Sequence, residues 1–298
     1  MDFTLKTYRS LISALKDTSV PFIGFSELVS GGNDRFIVLR HDVDRRPENA
    51  LAMAVAEAGE GIRASYHFRA FSIMAGERII SDIAALGHEV AYHYEDLSAV
   101  SRGRQTGTGE VDNETVSGAI ERFRNNLGEL RRICPADVIS MHGSPLSAVD
   151  NRQLWKYHDY HTEGIVCEPY FDVDVTRILY LTDTGRRWDG GESSIRDRGI
   201  SGGDGEGPYS YAGWKAKPLR GSLMDMTPGG VALRRSINVR TTEELIAAVQ
   251  RSELPSGLIL NTHPQRWTDS IFPWATELIL QNLKNQVKKR VNRSKNLS

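Results

Sequence analysis

Cysteine is scarce in this sequence: Cys134 and Cys167 are the only two among 298 residues. Two thiols exclude a disulfide-rich scaffold, and their spacing does not suggest a cysteine-based metal site. An excess of one charge is also missing, because 37 Lys and Arg residues stand against 38 Asp and Glu residues. A formal net charge of -1 does not favour nucleic acid or an anionic membrane as a partner.

Long apolar runs are missing as well. No stretch approaches the roughly 18 uncharged apolar residues that a membrane-spanning helix needs. The N-terminus predicts an amphipathic helix over residues 1–17, and Lys6 and Arg9 interrupt any apolar core of a signal peptide. We therefore expect a cytoplasmic protein without a membrane span.

The chain instead alternates short apolar runs, rich in β-branched residues, with helical patterns. The runs predict strands at Phe36–Arg40, Ala64–Phe68, Glu89–Tyr94, Asp137–Met141, Gly164–Cys167, Ile178–Thr182 and Leu258–Thr262. Such alternation predicts an α/β fold with a largely parallel sheet, and six or seven units favour a barrel. We expect a single domain over residues 1–298, with a core at 36–267 and a C-terminal helix at 273–292.

Five of the predicted strands end in His or Asp. The His or Asp residues at these strand ends are His41, His93, His142, Asp183 and His263. In barrels the carboxyl ends of parallel strands converge on one mouth, where active sites form. An ordinary loop explains any one of these residues, but five together predict a polar, metal-binding site at the mouth.

The first of these strand ends carries two carboxylates. Asp42 and Asp44 are two apart in an extended segment and project from one face, whereas His41 projects from the other. One carboxylate is then able to ligate a metal while its neighbour takes a proton. The alternative is that Asp42 or Asp44 caps the helix expected near Pro47.

The third strand carries two histidines with different expected roles. His88 and His93 are five apart, so they face opposite sides of the strand and do not share a metal. His93 lies at the carboxyl end, where the site is expected. His88 lies at the start of the strand and is expected to be structural.

In these motifs the chain resembles the polysaccharide deacetylases with NodB homology, carbohydrate esterase family 4. It is most similar to an atypical cytosolic branch associated with O-antigen and other surface-polysaccharide gene clusters. The resemblance covers residues 36–267 and implies a distorted (β/α) barrel of about seven strands, with the active site at their C-terminal ends. It implies that Asp42 is the catalytic base, that Asp44 is a metal ligand, and that His93, after the lead Gly87-His88-Glu89, is another.

The motifs do not identify the third metal ligand. The family's second histidine ligand falls here at Leu97, which cannot bind a metal. The arginine of the family's third motif is also absent where His142 stands. The candidates are His142, Asp96 and Glu95, and we favour His142 because imidazole suits zinc, the expected divalent metal, and the end of its strand should face the mouth.

The resemblance also implies the remaining roles. His263 looks like the general acid and Asp183 its acidic partner, while the expected substrate-binding residues are Arg186, Arg187, Trp188, Arg266 and Trp267. The arginines suit an oxyanion, although surface salt bridges explain them equally. The expected reaction is hydrolysis of an N-acetyl or related acyl group from a sugar or glycan, with a diphosphate-linked carrier as one form of substrate.

Two other classes of protein stay open. Leu97 and the missing arginine suggest a catalytically degraded, sugar-binding protein on the same barrel, which would have lost its metal. The same carboxylates and histidines would also serve a metal-dependent phosphoesterase, for which two metals about 3.5–4 Å apart are expected.

Overall fold

Six strands form one parallel sheet in the structure, a computed structural model that describes residues 1–102, 111–143, 149–173, 178–188 and 239–282. The strands are β1 Phe36–Val43, β2 Ser65–Phe68, β3 Glu89–Tyr94, β4 Val138–Met141, β5 Ile178–Thr182 and β6 Gly257–Thr262. Their order in the sheet is β4-β3-β2-β1-β6-β5, and every neighbouring pair is parallel. The predicted α/β class is confirmed, and the curled half-barrel is consistent with a distorted barrel.

The number of strands differs from the prediction. Gly164–Cys167 contributes only an isolated parallel bridge between Cys167 and Val138, beside β4. A 3-10 helix precedes this segment at Tyr160–Glu163, and Pro169 begins a helix just after it. The segment makes this single bridge and no ladder, so the described residues form six strands rather than about seven.

Helices connect the strands. They are α1 Leu5–Asp17, α2 Phe25–Ser30, α3 Pro47–Gly59, α4 Ala70–Ala75, α5 Glu77–Ala85, α6 Asp96–Val100, α7 Asn113–Ile133, α8 Pro169–Asp172, α9 Thr242–Gln250 and α10, residues 271–282. Further 3-10 helices occur at Asn151–Lys156 and Pro264–Arg266. Helix α3 begins with Pro47 in its first turn, where a missing N–H costs nothing. Arg46 is its N-cap residue and no side chain caps it, so the capping alternative for Asp42 and Asp44 is wrong.

The two terminal helices were both predicted. The N-terminal one is α1, where Thr4 accepts a hydrogen bond from the backbone N–H of Thr7. The C-terminal one is described as far as residue 282, and the rest of the predicted range 273–292 lies outside the described residues. In the described part of the chain, no helix is long and apolar enough to cross a membrane. The assignment of residues 1–298 to one domain stays a prediction.

Side-chain alternation divides the core into two clusters on opposite faces of the sheet. On β1, Ile37, Leu39 and Val43 belong to the larger hydrophobic cluster. Phe36 and Val38 belong to a smaller cluster, and Arg40 and Asp42 continue along their face. Other strands repeat this pattern, since Ala91, Val138 and Ile259 of the smaller cluster stand two residues before His93, Ser140 and Asn261. A polar layer therefore follows the smaller cluster at the carboxyl ends of the strands.

The opposite face of β1 carries a sealed polar cluster around Glu57 of α3. The hydroxyls of Tyr8 and Tyr66 both donate to the Glu57 carboxylate. His41 Nε2 lies 2.8 Å from Glu57 Oε1, and His88 Nδ1 lies 3.8 Å from Glu57 Oε2. Burial by itself would raise the pKa of Glu57, but His41 and the hydrogen bonds outweigh it and hold the pKa below its usual range. His88 thus contacts this internal carboxylate, in keeping with the structural role expected for it.

We expect Glu57→Ala to lower the free energy of unfolding by about 3–5 kcal/mol, because buried partners would lose their only carboxylate. Glu60→Ala is the matched control one turn further along the chain. Glu60 pairs with Lys16 at the surface, and its loss is expected to cost less than about 1 kcal/mol. Urea unfolding of both variants checks this, and equal losses would show that the cluster does not stabilise the fold.

Candidate metal centre and active site

Three predicted ligands come together at the carboxyl ends of the sheet. One donor atom from each of Asp44, His93 and His142 lies within 4.8 Å of the others. The two imidazole rings meet edge to face with their centroids 5.1 Å apart, and His142 Nε2 lies 3.5 Å from Asp44 Oδ1. These residues follow or end β1, β3 and β4, so the sheet itself sets the spacing of the three donors.

The atoms of this group fit a divalent cation. His93 Nδ1 lies 3.0 Å from the carbonyl oxygen of Ser140, so Nδ1 carries the hydrogen and Nε2 keeps a lone pair. Burial lowers the pKa of His93 to about 4, which keeps the ring in the neutral form that metals bind. Gln265 Nε2 donates to Asp44 Oδ2 at 3.4 Å, whereas Asp44 Oδ1 is buried without a hydrogen-bond partner. Two imidazole nitrogens and one carboxylate oxygen are a donor set typical of zinc.

The competing third ligands lie elsewhere. Asp96 faces α7, where it accepts hydrogen bonds from Tyr92 and Asn126 and pairs with Arg122. Burial raises the pKa of Asp96 to about 6 in this position. Glu95 lies next to His142, on the Nδ1 side of the ring at 3.2 Å, and its own oxygens accept from Arg69. Asp96 and Glu95 therefore lie outside the three-donor group, and Glu95 contacts the candidate ligand His142.

Asp42 lies beside this group in a tight hydrogen-bond network. Arg40 grips it with two donors, at 2.8 Å to Oδ1 and 3.2 Å to Oδ2, and Asn261 Nδ2 donates to Oδ2 at 2.9 Å. His93 Nε2 lies 3.8 Å from the same Oδ2. Burial alone would raise the pKa of Asp42, but Arg40 and the nearby histidines hold it well below the usual range. Asp42 is thus an ionised carboxylate next to the candidate metal position.

A second pair of predicted residues, His263 and Asp183, is in direct contact. His263 Nδ1 lies 2.7 Å from Asp183 Oδ1, and the His263 backbone N–H donates to Asp183 Oδ2. Arg266 pairs with Asp183, and Trp267 Nε1 donates to it at 2.9 Å. Burial opposes ionisation of Asp183, but Arg266 and His263 lower its pKa to about 2. An ionised Asp183 accepts the Nδ1 hydrogen of His263 and leaves Nε2 for proton exchange.

The five predicted substrate-binding residues do not form one group. Arg266 and Trp267 hold Asp183, as described above. Trp188 is buried against the rings of Phe3 and Trp267, and Nε1 of Trp188 contacts Thr242. Arg186 stacks on the rings of Phe3 and Trp274 and, with Arg187, lines a separate cavity of about 330 Å³. A contact between any of the five and a substrate stays a prediction.

Sequence reasoning missed the residues that hold the site together. Arg40, Ser140 and Asn261 were not singled out, although each stands two residues before a predicted site residue on its strand. Ser140 Oγ lies 3.0 Å from Arg40 Nη2, 2.8 Å from His67 Nδ1 and 3.0 Å from His93 Nδ1. Arg40, on β1, places an arginine against Asp42, whereas the arginine missing from the resemblance belongs to the third motif, where His142 stands. The period of two along a strand was the available signal.

Comparisons with known proteins find similarity only among solved structures. No protein-family model and no curated protein sequence matches the chain. A mutant of a CE4 family pseudoenzyme with restored enzymatic activity is 11% identical over 86% of this chain and 65% of its own, with a TM-score of 0.38. A further mutant of a CE4 family pseudoenzyme is 11% identical over 86% and 64%, with a TM-score of 0.37. A family 4 carbohydrate esterase from Bacillus anthracis is 9% identical over 51% and 64%, with a TM-score of 0.30.

The chain spans just under two thirds of the length of each of these structures. With TM-scores below 0.5, these similarities do not assign the chain to a family.

We expect His142→Ala to weaken zinc binding by at least about tenfold, because a ligand should matter no less than a residue that only supports one. Asp96→Asn is the control, since that carboxylate faces α7, and it is expected to leave zinc affinity unchanged. Titration of the metal-free chain with Zn²⁺ measures both. Weaker binding in Asp96→Asn than in His142→Ala would move the third ligand to Asp96.

Proposed function

We propose that this protein is a metal-dependent hydrolase that removes an N-acetyl or related acyl group from a sugar. The main observation in support concerns the strand end Asp42-Val43-Asp44. It places the ionised carboxylate of Asp42 beside a group of three donors that could bind a metal. The His263–Asp183 pair lies close enough that His263 contributes to the low pKa of both Asp42 and Asp44. A metal group, a base and an acid are the parts of a metal-assisted amide hydrolysis.

Asp44, His93 and His142 would hold a divalent metal, with zinc as the proposed ion. Such an ion polarises a bound carbonyl and lowers the pKa of water towards neutrality. Asp42 then accepts the proton of the attacking water through its carboxylate. Arg40 and Asn261 keep that carboxylate oriented, so that little reorganisation is needed when the proton arrives.

His263 serves the departing amine. For this step the ring carries hydrogen on both nitrogens: Nδ1–H is directed to Asp183, and the Nε2 proton passes to the sugar nitrogen as the carbon–nitrogen bond breaks, which leaves the ring neutral. Arg266 and Trp267 hold Asp183 from two further directions, so the carboxylate is fixed before substrate binds. Asp183 thus orients the acid without itself exchanging a proton.

The site gives the degraded, sugar-binding alternative less support than the sequence did. It was suggested by Leu97 and by a missing arginine. Leu97 is buried in the core, His142 provides a third donor, and Arg40 pairs with Asp42. The phosphoesterase alternative is also less favoured, because the described residues contain a single group of three such donors rather than the ligands of a metal pair.

The proposal also covers the kind of sugar, its carrier and the place of the reaction. We propose a sugar or glycan of O-antigen or other surface-polysaccharide biosynthesis, diphosphate-linked in one form, acted on in the cytoplasm. These features come from the sequence resemblance and from the arginines that follow β5 and β6.

Elemental analysis of the purified protein, together with an assay of acetate release from N-acetylated sugars and nucleotide sugars, tests the function. We expect one divalent metal per chain and acetate release that a chelator abolishes and added metal restores. A chain that binds no metal, or a loaded chain that releases phosphate instead of acetate, would contradict the proposal.

Asp42→Asn is expected to keep the metal and to lower turnover by about 10²-fold or more, the usual contribution of a general base. Asn cannot accept the proton, whereas the three metal donors are untouched. Asp82→Asn, on the exposed side of α5, serves as the control with unchanged turnover. Unchanged turnover in Asp42→Asn would make Asp42 a structural residue.

Asp183→Asn should also keep the metal and lower turnover by about 10²-fold or more, because an amide can donate to His263 Nδ1 and so favour the wrong tautomer. The loss is expected in kcat, with little change in metal affinity. A metal-binding isotherm and steady-state kinetics on the same preparation separate the two effects. Normal kcat would show that Asp183 does not orient His263.

A further inference from the structure

We propose that Glu95 is a positioning residue that orients His142 for metal binding, and that Arg69 holds Glu95 in place for this purpose. This inference rests on the metal site of the proposed function. It assigns a role to a carboxylate that the sequence offered only as a ligand, and to an arginine that sequence reasoning did not single out.

The first step is the clamp between Arg69 and Glu95. Arg69 is the N-cap residue of α4, directly after β2, and Glu95 directly follows β3. Arg69 Nε and Nη2 lie 2.9 and 2.6 Å from Glu95 Oε1, and Nη2 lies 2.7 Å from Oε2. A guanidinium fork on both oxygens of a carboxylate is a strong and directional pairing. Glu95 therefore has a fixed position and no oxygen without an arginine contact.

The second step is the effect on His142. Glu95 Oε2 lies 3.2 Å from His142 Nδ1, on the opposite side of the ring from Nε2, an ion-pair distance without the angles of a hydrogen bond in this structure. An ionised carboxylate only accepts hydrogen bonds, so it favours the tautomer with its hydrogen on Nδ1. The lone pair of neutral His142 is then on Nε2, the atom 3.5 Å from Asp44 Oδ1. Carboxylates behind metal-binding histidines commonly set the tautomer in this way.

The third step is that the same arginine also faces a ligand carboxylate. Arg69 Nη1 lies 3.9 Å from Asp44 Oδ1, which has no hydrogen-bond partner. One guanidinium thus stands between the end of β1 and the end of β3, near Asp44 and Glu95 together. Its positive charge lies near both carboxylates, and Asp44 Oδ1 stays available to a metal.

Zinc titration of the metal-free chain tests the inference without any substrate. Glu95→Gln is expected to weaken zinc binding by about 10- to 100-fold, the usual cost of losing a residue that supports a ligand. Arg69→Lys keeps the charge but not the fork, and we expect it to weaken binding in the same direction. Glu163→Gln is the matched control, because Arg124 grips Glu163 in a similar way at the protein surface, and its zinc affinity should stay within twofold of the unaltered chain.

A second readout separates positioning from a general loss of structure. Nitrogen NMR of ¹⁵N-histidine-labelled, zinc-loaded protein should show the His142 hydrogen on Nδ1 in the unaltered chain. In Glu95→Gln this Nδ1–H signal should be broadened or shifted, while the urea unfolding midpoint of the metal-free variant stays close to that of Glu163→Gln.

The outcomes distinguish the inference from the function on which it rests. If the unaltered chain binds one zinc and Glu95→Gln binds it within twofold as tightly, the positioning role is overturned and the metal site stands. Weaker binding that is matched by a much lower unfolding midpoint, with an unchanged Nδ1–H signal, would also overturn it. If the unaltered chain binds no zinc, the metal site and the positioning role fall together.

Discussion

The polar end of the sheet depends on one buried ion pair, between Arg40 and Asp42 on β1. Both side chains are almost fully buried, and a buried charge without its partner is strongly destabilising. The pair also fixes the position of its neighbours. Arg40 donates to Ser140, and Ser140 in turn contacts His67 and His93. Four neighbouring strands are joined in this way, and His93 is brought next to the Asp42 carboxylate.

Strand β1 separates two polar networks that have different uses. On the helix side, the side chains of Glu57 and its four partners are fully buried, so we assign them to the stability of the fold. On the other side, the buried residues Arg40 and Asn261 support neighbours with some solvent access. Those neighbours are Asp44, His142 and His263, whose side chains are 19%, 16% and 13% exposed. Asp44, His142 and His263 thus form the partly exposed edge of a layer that is otherwise closed.

Much of the candidate site could be read from strand ends. Parallel strands place their carboxyl ends together, so polar residues after β1, β3, β4, β5 and β6 had to meet at one edge. The period of two correctly separated Asp42 from His41 and His93 from His88. It did not separate Glu95 from Asp96, because both follow the end of β3 and the turn into α6 decides which one faces Arg69. Nor did local composition show that Gly164–Cys167, between a 3-10 helix and α8, makes only one bridge to β4.

The sequence by itself determined the α/β class, the order of strands and helices, and the face on which each strand residue points, since these follow from local periodicity. Only the tertiary structure decided the partners. Arg40 and Ser140 are 100 residues apart, and Asp42 and Asn261 are 219 apart. Their contacts exist because β6 and β1 are neighbours in the sheet and β4 curls towards them. The roles of Arg266 and Trp267 likewise depended on which carboxylate the fold placed beside them. Strand order and register arise from the packing of the whole sheet, and no local pattern encodes which side chains that packing brings into contact.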